Sequence, residues 1–224
     1  MYNRVFVERL KIIGTSHIAI ESVDEVRLAI DEFKPDIVAV ELDRARLDAL
    51  LQDRKAKADW RMIRKVGLKG WLFAILGSWI ERKLGSKVGV SPGSEMLAAV
   101  RRAGEVGARV ALIDQKIDVT LRRFSSALTW REKWNFLVDL VKGFFGKGVK
   151  IDLARVPEKE LIETLLKDVK KRYPNVYRVL VKERNDYMAR RIAGLLTVYP
   201  DSRVLAVVGA GHEQDIRELV KKYL

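Results

Sequence analysis

Short apolar runs of strand type alternate with longer segments of helical period, and this alternation constrains the fold more than any other feature. The runs cover residues 10–13, 37–40, 109–113 and 204–208. The segments between them place apolar residues at helical spacing. Alternating strands and helices are typical of a parallel sheet with crossover helices packed on it. We therefore predict an α/β fold with a mainly parallel central sheet.

Two stretches are too long to be simple crossovers, and we predict them to be helical insertions at about 54–90 and 118–200. Within the second stretch, Pro174 predicts the start of one helix that continues to about residue 197. No clean linker divides the chain, so we predict a single domain over residues 1–224. No run reaches the ~18 apolar residues of a membrane span, and residues 1–10 do not resemble a signal peptide. As given, the chain is expected to be cytoplasmic, or the soluble part of a membrane protein.

An ionisable side chain lies at or just beyond the carboxyl end of each predicted core strand. These residues are His17, Glu41, Asp114 and His212. Each one alone has an ordinary explanation, since carboxylates often cap the next helix. The carboxyl ends of parallel strands share one edge, where ligands of open α/β sheets gather. We therefore predict that the four residues form one functional site.

The two histidines of the chain both occur in a G-x-x-H frame, which starts at Gly14 for His17 and at Gly209 for His212. The dipole at a helix N-terminus disfavours the charged imidazolium, and a metal binds neutral imidazole. Because the chain has no cysteine, a metal would be held by nitrogen and oxygen ligands. We predict a divalent Mn, Co, Zn or Fe ion bound by His17, His212 and Asp114. Glu41 is the first candidate for a general base, and Asp114 is the second.

Other charged residues are candidates for a role beside this site. Arg122 and Arg123 follow the third strand and can bring a guanidinium to a carboxylate or an oxyanion. Glu183 and Arg184 lie within a predicted helix where one of them can face inward, and Glu95 lies near a helix start. An exposed basic helix surface is an equally good explanation for Arg122 and Arg123.

The net charge of +13 and the pI of about 9.9 favour an anionic partner, although a generally basic proteome explains them as well. The sequence carries no nucleic-acid-binding motif, so nucleic acid is not expected. Two basic, Trp-containing stretches at 60–83 and 130–147 suit a membrane surface, or alternatively buried helix packing.

Several motifs occur in order along nearly the whole chain and together resemble the TraB/PrgY family, which includes pheromone-shutdown proteins and is related to the TIKI and GumN proteins. They are the two G-x-x-H frames, the E-L-D-x-x-R motif that begins at Glu41 and ends at Arg46, and the segments 93–96, 120–123 and 183–188. The resemblance implies an EreA/ChaN-like α/β fold.

TIKI proteins are described as metal-dependent proteases, so the resemblance implies a metal-dependent hydrolase that acts on a peptide. It implicates His17, His212 and Glu41. We predict further roles for a surrounding set, with Arg122, Arg184 and Glu183 in catalysis and Glu95, Arg46 and Arg123 in substrate binding. One alternative is a regulatory protein that binds a peptide without cleaving it. Another is a heme- or metal-handling protein of the ChaN type.

Related bacterial and archaeal proteins often carry membrane-spanning helices after the second G-x-x-H frame. This chain ends at Leu224, shortly after His212. We therefore expect either a short form or a chain that lacks a C-terminal membrane segment. Assembly into a homo-oligomer stays open.

Overall fold

The structure, a computed structural model, describes residues 8–15, 20–52, 93–144 and 158–224. Its centre is a four-stranded sheet in the order β1-β4-β2-β3, in which every pair of neighbours is parallel. The strands are β1 (Leu10–Thr15), β2 (Ile37–Val40), β3 (Arg109–Leu112) and β4 (Val204–Gly209). The predicted α/β fold with a parallel sheet is confirmed.

Helices connect these strands and cover the sheet. They are α1 (Ile20–Phe33), α2 (Arg44–Leu51), α3 (Ser94–Glu105), α4 (Ile117–Ala127), α5 (Trp130–Phe144), α6 (Glu158–Arg172), α7 (Pro174–Tyr177), α8 (Glu183–Val198) and α9 (Ala210–Tyr223). A π-helical turn, Arg178–Lys182, joins α7 to α8. The helix predicted from Pro174 to about residue 197 is present as one unbroken helical stretch, with the π-helical turn in its interior.

The two inner strands, β2 and β4, are buried on both faces, because alternate residues of a strand point to opposite sides of the sheet. On one face, Ile37 and Ala39 of β2 pack with residues of α8 and α9 such as Met188 and Ile216. On the other face, the second core contains residues of β2, α1, α2 and α3, including Val38, Val40, Val26, Leu47 and Met96. Strand β4 lies between β1 and β2 and is buried along its whole length. Helices thus form a layer on each side of the sheet.

The parallel register brings the carboxyl ends of the strands to one edge. Thr15 is paired with Gly209, and Val40 is paired with both Val207 and Leu112. The edge therefore gathers residues that are far apart in sequence. The predicted insertion at 54–90 lies outside the described residues, whereas the described part of 118–200 is helical as predicted. In the described part of the chain, no helix is both long and apolar enough to cross a bilayer.

Candidate functional site

Glu41 follows β2 directly and lies buried at the carboxyl edge of the sheet, with 4% of its surface exposed. The carboxylate bridges elements that are distant in sequence. Its Oε2 atom accepts a hydrogen bond of 2.7 Å from the backbone N–H of Gly209, and its Oε1 atom accepts one from Arg184. The same Oε1 atom lies 3.5 Å from Nε2 of His212. Glu41 therefore has a fixed orientation at the end of β4.

Arg184, in the first turn of α8, lies at the centre of the site, and its guanidinium makes five contacts with other described residues. The Nε atom donates to Oδ1 of Asp114 at 3.0 Å, and one terminal nitrogen donates to Asp114 Oδ2 and to Glu41. The other terminal nitrogen donates to the carbonyl of Leu180 in the π-helical turn and lies 3.4 Å from Nε2 of His212. A guanidinium has five N–H groups, so these contacts account for all of them.

Opposing effects act on the charge of Arg184. Burial lowers the pKa of its guanidinium, whereas the carboxylates of Glu41 and Asp114 raise it. The effect of the carboxylates is the larger, so the pKa of Arg184 is above its ordinary value. Arg184 is therefore a permanent cation between two buried carboxylates. This pairing offsets the high cost of burying those charges.

Asp114, two residues beyond β3, is surrounded by donors. Oδ1 accepts hydrogen bonds from Arg184 and from the backbone N–H of Gln115, and Oδ2 accepts from Arg184 and, at 3.2 Å, from Arg46. Of the two arginines, Arg46 is the more accessible, with 40% of its side chain exposed against 15% for Arg184. The structure therefore places Arg46 at the rim of the site and Asp114 beneath it.

His212 lies in the first turn of α9, and Asn185 of α8 fixes its ring. Nδ1 of His212 is 2.5 Å from Oδ1 of Asn185. The amide nitrogen of Asn185 donates in turn to Oδ2 of Asp215 at 2.9 Å. Consecutive residues of α8, Arg184 and Asn185, thus contact Glu41 and His212. Sequence reasoning gave Asn185 no role, although Asn185 lies beside Arg184 in the family motif at 183–188.

The two glycines that begin the G-x-x-H frames lie where β1, β4 and α9 come together. A Cβ atom on Gly14 would lie 2.6 Å from Oε2 of Glu213 and 3.0 Å from the Cα of Ala210. Thr15 also donates its hydroxyl to the carbonyl of Val208 at 3.2 Å. His17 lies outside the described residues, two positions after Thr15, so its predicted role as a metal ligand stays a prediction.

Three of the remaining predicted site residues form ion pairs of their own. Arg122 is exposed and pairs with Asp118 one turn earlier on α4 at 3.2 Å. Arg123 forms a bidentate pair with Glu183 at 2.5 and 2.9 Å. This hydrogen bonding outweighs partial burial and lowers the pKa of the Glu183 carboxyl group. Glu95 is buried in the first turn of α3.

Asp43 organises the same edge, although sequence reasoning gave it no role. It is the N-cap of α2, where its Oδ1 accepts a hydrogen bond of 2.8 Å from the backbone N–H of Arg46. Its Oδ2 accepts another of 2.6 Å from the backbone N–H of Ile117, which begins α4. The aspartate thereby ties together the helices that follow β2 and β3, and its place in an N-cap position is the signal that predicts such a role.

The donor chemistry of the site fits a metal in part. Two ligands of one tetrahedral ion, each at ~2.0–2.1 Å, lie about 3.3 Å apart, which is close to the 3.5 Å between His212 Nε2 and Glu41 Oε1. Both carboxylates are already engaged, however. Asp114 has both oxygens bonded to guanidinium groups, and Glu41 accepts from Arg184 on Oε1 and from the N–H of Gly209 on Oε2. Within residues 8–15, 20–52, 93–144 and 158–224, no group of three or more His, Asp or Glu side chains is arranged to hold a metal.

The comparisons with known proteins decide the family. Residues 7–222 match the profile of the TraB/PrgY/gumN family. The chain belongs to this family. The resemblance inferred from the motifs is thereby confirmed.

Relatives of the chain come from archaea and animals. An uncharacterized protein of Methanocaldococcus jannaschii is 34% identical over 229 residues, which cover 99% of this chain and 56% of the relative. The TraB domain-containing proteins of Mus musculus and Homo sapiens are 29% and 28% identical over 240 residues, which cover 94% of this chain and 62% of each relative. The chain therefore spans less than two thirds of these relatives.

Proposed function

We propose that this TraB-family chain is a metal-dependent hydrolase that cleaves a peptide substrate at the carboxyl edge of its sheet. One observation carries the proposal: a buried carboxylate, Glu41, and an imidazole with a fixed ring, His212, approach each other at 3.5 Å beside a buried guanidinium. A carboxylate and an imidazole at such a distance are suited to general acid–base chemistry.

Each residue has a distinct task in the proposed reaction. Glu41 accepts the proton of the attacking water, and its bond to the N–H of Gly209 keeps the carboxylate in place. Arg184 fixes Glu41 and Asp114, and because its N–H groups are all bonded within the protein it does not bind substrate directly. Arg46, at the rim, has accessible surface and one contact to Asp114. We assign to Arg46 the binding of the substrate or of the carbonyl oxygen that becomes negative.

A divalent metal would be held by His212 and by His17, the two histidines predicted from the sequence as ligands, with Glu41 beside it as the base. When bound, it would supply Lewis-acid chemistry, which lowers the pKa of a bound water. The hydrogen bond from His212 Nδ1 to an amide oxygen is the kind of contact that orients metal-binding histidines. Asp114 is assigned to holding Arg184 and Arg46 instead of to the metal.

A second candidate is a regulatory protein that binds a peptide without cleaving it. It is favoured by the charge balance of the site, where Glu41 and Asp114 are matched by Arg184 and Arg46. In such a protein the cluster would hold the sheet edge together, and the partly exposed Arg46 would bind an acidic peptide.

Peptide cleavage is the test that separates these functions. The full chain, made without a histidine tag and treated with a chelator, is incubated with a library of short synthetic peptides, and products are measured by mass spectrometry. Mn²⁺, Co²⁺, Zn²⁺ and Fe²⁺ are added back one at a time. We expect cleavage with at least one ion, reduced by about 10²–10⁴-fold in Glu41→Gln and by a similar factor in His212→Ala.

The matched control is Gln214→Ala, an exposed residue on the same helix as His212, which is expected to keep the wild-type rate. Peptide binding without cleavage under every metal condition would establish the regulatory alternative. Equal cleavage by wild type and His212→Ala would contradict the assigned site.

A further inference from the structure

The contacts of Asn185 define the protonation of His212. Asn185 is 1% exposed and lies between two side chains of α9. Its amide nitrogen faces Oδ2 of Asp215 at 2.9 Å, and its Oδ1 faces Nδ1 of His212 at 2.5 Å. An ionised carboxylate accepts hydrogen bonds and does not donate them. The contact with Asp215 therefore requires that the NH₂ group of Asn185 points towards Asp215.

With the amide in that orientation, its oxygen points towards His212. An amide oxygen only accepts hydrogen bonds, so Nδ1 of His212 has to carry the proton. In the neutral ring the lone pair is then on Nε2. This atom lies 3.5 Å from Glu41 Oε1 and 3.4 Å from the guanidinium of Arg184. The hydrogen bonds from Asn185 to Asp215 and from His212 to Asn185 thus orient Nε2, the basic nitrogen of His212, towards Glu41 and Arg184.

We propose that Asn185 is a positioning residue that, oriented by Asp215, holds His212 with its proton on Nδ1 and its lone pair in the site. The effect of Asn185 on turnover rests on the proposed hydrolase function, whereas the tautomer of His212 does not. The tautomer can therefore be measured without substrate, metal or activity.

The helix geometry supports this role. Arg184 and Asn185 are consecutive in the first turn of α8, and the π-helical turn that precedes them contributes the Leu180 carbonyl to Arg184. A side chain bonded at both ends and buried loses little further freedom when a substrate binds. Supporting contacts of this kind keep a reacting group within the narrow tolerance that catalysis requires.

Long-range ¹H–¹⁵N NMR of the histidine rings tests the proposal directly. The metal-free full chain is labelled with ¹⁵N-histidine and measured at mildly alkaline pH, where imidazole is neutral. Because the chain has only two histidines, the His17→Ala variant assigns both signals. We expect the ring of His212 to be protonated on Nδ1 and unprotonated on Nε2. A wild-type ring protonated on Nε2 would overturn the proposal without any further variant.

Three variants complete the test. Asn185→Leu is expected to lose the Nδ1–H tautomer, because the acceptor is gone. The double exchange Asn185→Asp with Asp215→Asn is expected to restore it, since an aspartate at 185 again accepts and an asparagine at 215 donates. The control Gln214→Ala is expected to leave the spectrum unchanged. An unchanged tautomer in Asn185→Leu would overturn the proposal.

Where peptide cleavage has been measured, the same variants separate positioning from folding. We expect Asn185→Leu to lower kcat by about 10- to 100-fold with little change in KM, and the double exchange to recover most of the loss. A variant that fails to fold would differ from wild type both in its circular dichroism spectrum and in the ¹H–¹⁵N spectrum of its histidine rings. An Nδ1–H tautomer in the absence of any peptide cleavage would contradict the hydrolase function and leave the role of Asn185 in orienting His212 intact.

Discussion

The most consequential single residue is Arg184, because it compensates two carboxylates that are almost entirely buried. Glu41 and Asp114 expose only 4% and 3% of their side chains, and Arg184 contacts both. An isolated buried charge is far more costly than a paired one. The stability of the site therefore depends on the pairing, whatever reaction the site carries out.

Replacement of Arg184 by methionine is predicted to lower the free energy of unfolding by about 3–5 kcal/mol, because it removes the guanidinium that contacts both buried carboxylates. The control is Arg122→Met, which removes an exposed guanidinium paired within one helix turn and should cost less than about 0.5 kcal/mol. Urea denaturation of both variants measures the difference. Similar losses in the two variants would contradict the assigned charge pairing.

The sequence allowed Glu41, Asp114 and His212 to be predicted as neighbours, since each follows a strand of one parallel sheet. It did not allow a choice between Arg122 and Arg184. Both lie in helices with charged and apolar positions, and the face that turns inward is set by packing of α4 and α8 on the rest of the fold. Asn185 could be identified only after that orientation was known.

At the scale of elements, a capping box holds the start of α5 to the segment that precedes α8. The backbone N–H of Thr129 donates to Glu132, and the backbone N–H of Glu132 donates to the hydroxyl of Thr129. Glu132 also accepts two hydrogen bonds from Asn175 of α7. Burial raises the pKa of the Glu132 carboxyl group, but these hydrogen bonds outweigh burial and lower it overall.

The lowered pKa of Glu132 predicts a specific dependence of stability on pH. A carboxyl group whose pKa is lower in the folded than in the unfolded state stabilises the folded protein. Its contribution is complete at pH values above the unfolded pKa of ~4.3. That contribution is lost as the pH falls through the lower folded pKa. Glu132→Gln should therefore cost about 1–3 kcal/mol at neutral pH, and the difference from wild type should shrink below pH ~4. Urea denaturation across pH measures it, and a constant difference would contradict the prediction.

The close approach of β1 to α9 predicts a second effect at this scale. Gly14→Ala would place a Cβ atom 3.0 Å from the Cα of Ala210, which is backbone and has little room to move. We expect a loss of about 1–3 kcal/mol in the free energy of unfolding. The control is Gly194→Ala within α8, where nothing lies within 4 Å of the added atom. This variant should gain about 0.5–1 kcal/mol from helix propensity. An unchanged free energy of unfolding for Gly14→Ala, measured by thermal or urea unfolding, would contradict the close approach of Gly14 to Ala210.

The π-helical turn is a detail of the predicted helix that the sequence did not reveal. Periodicity and Pro174 gave the correct start of the helical region, and the turn at Arg178–Lys182 carries no glycine or second proline to mark it. The extra residue of a π-helical turn changes the face on which the residues after it lie, and the turn contributes the Leu180 carbonyl to Arg184. Sequence periodicity does not register one extra residue in a helical turn when the residues on both sides keep a helical pattern.

For the whole molecule, the sheet order explains how distant residues form one site. Strand β4 comes from the end of the chain and lies between β1 and β2, so Gly209 reaches Glu41 and His212 reaches Asn185. The parallel sheet itself was predictable from alternating strands and helices. The order of its strands was not, because short apolar runs carry no information on which run pairs with which.

The net charge of +13 predicts a response of the whole molecule to salt. Excess positive charge destabilises the compact state through self-repulsion, and salt screens that repulsion. Raising NaCl from about 0.05 M to about 0.5 M should therefore raise the Tm. Calorimetry over a NaCl series measures the shift. A falling Tm would indicate that attractive ion pairs outweigh the net repulsion.

The central claim is that Glu41 and His212 act as one catalytic unit. The most direct test compares the rates of peptide cleavage by wild type, Glu41→Gln, His212→Ala and the double variant under identical metal conditions. Residues that act as a unit have non-additive effects on rate, so we predict that the double variant is about as slow as the slower single variant. Losses that multiply in the double variant would mean that the two residues act independently, and would contradict the claim.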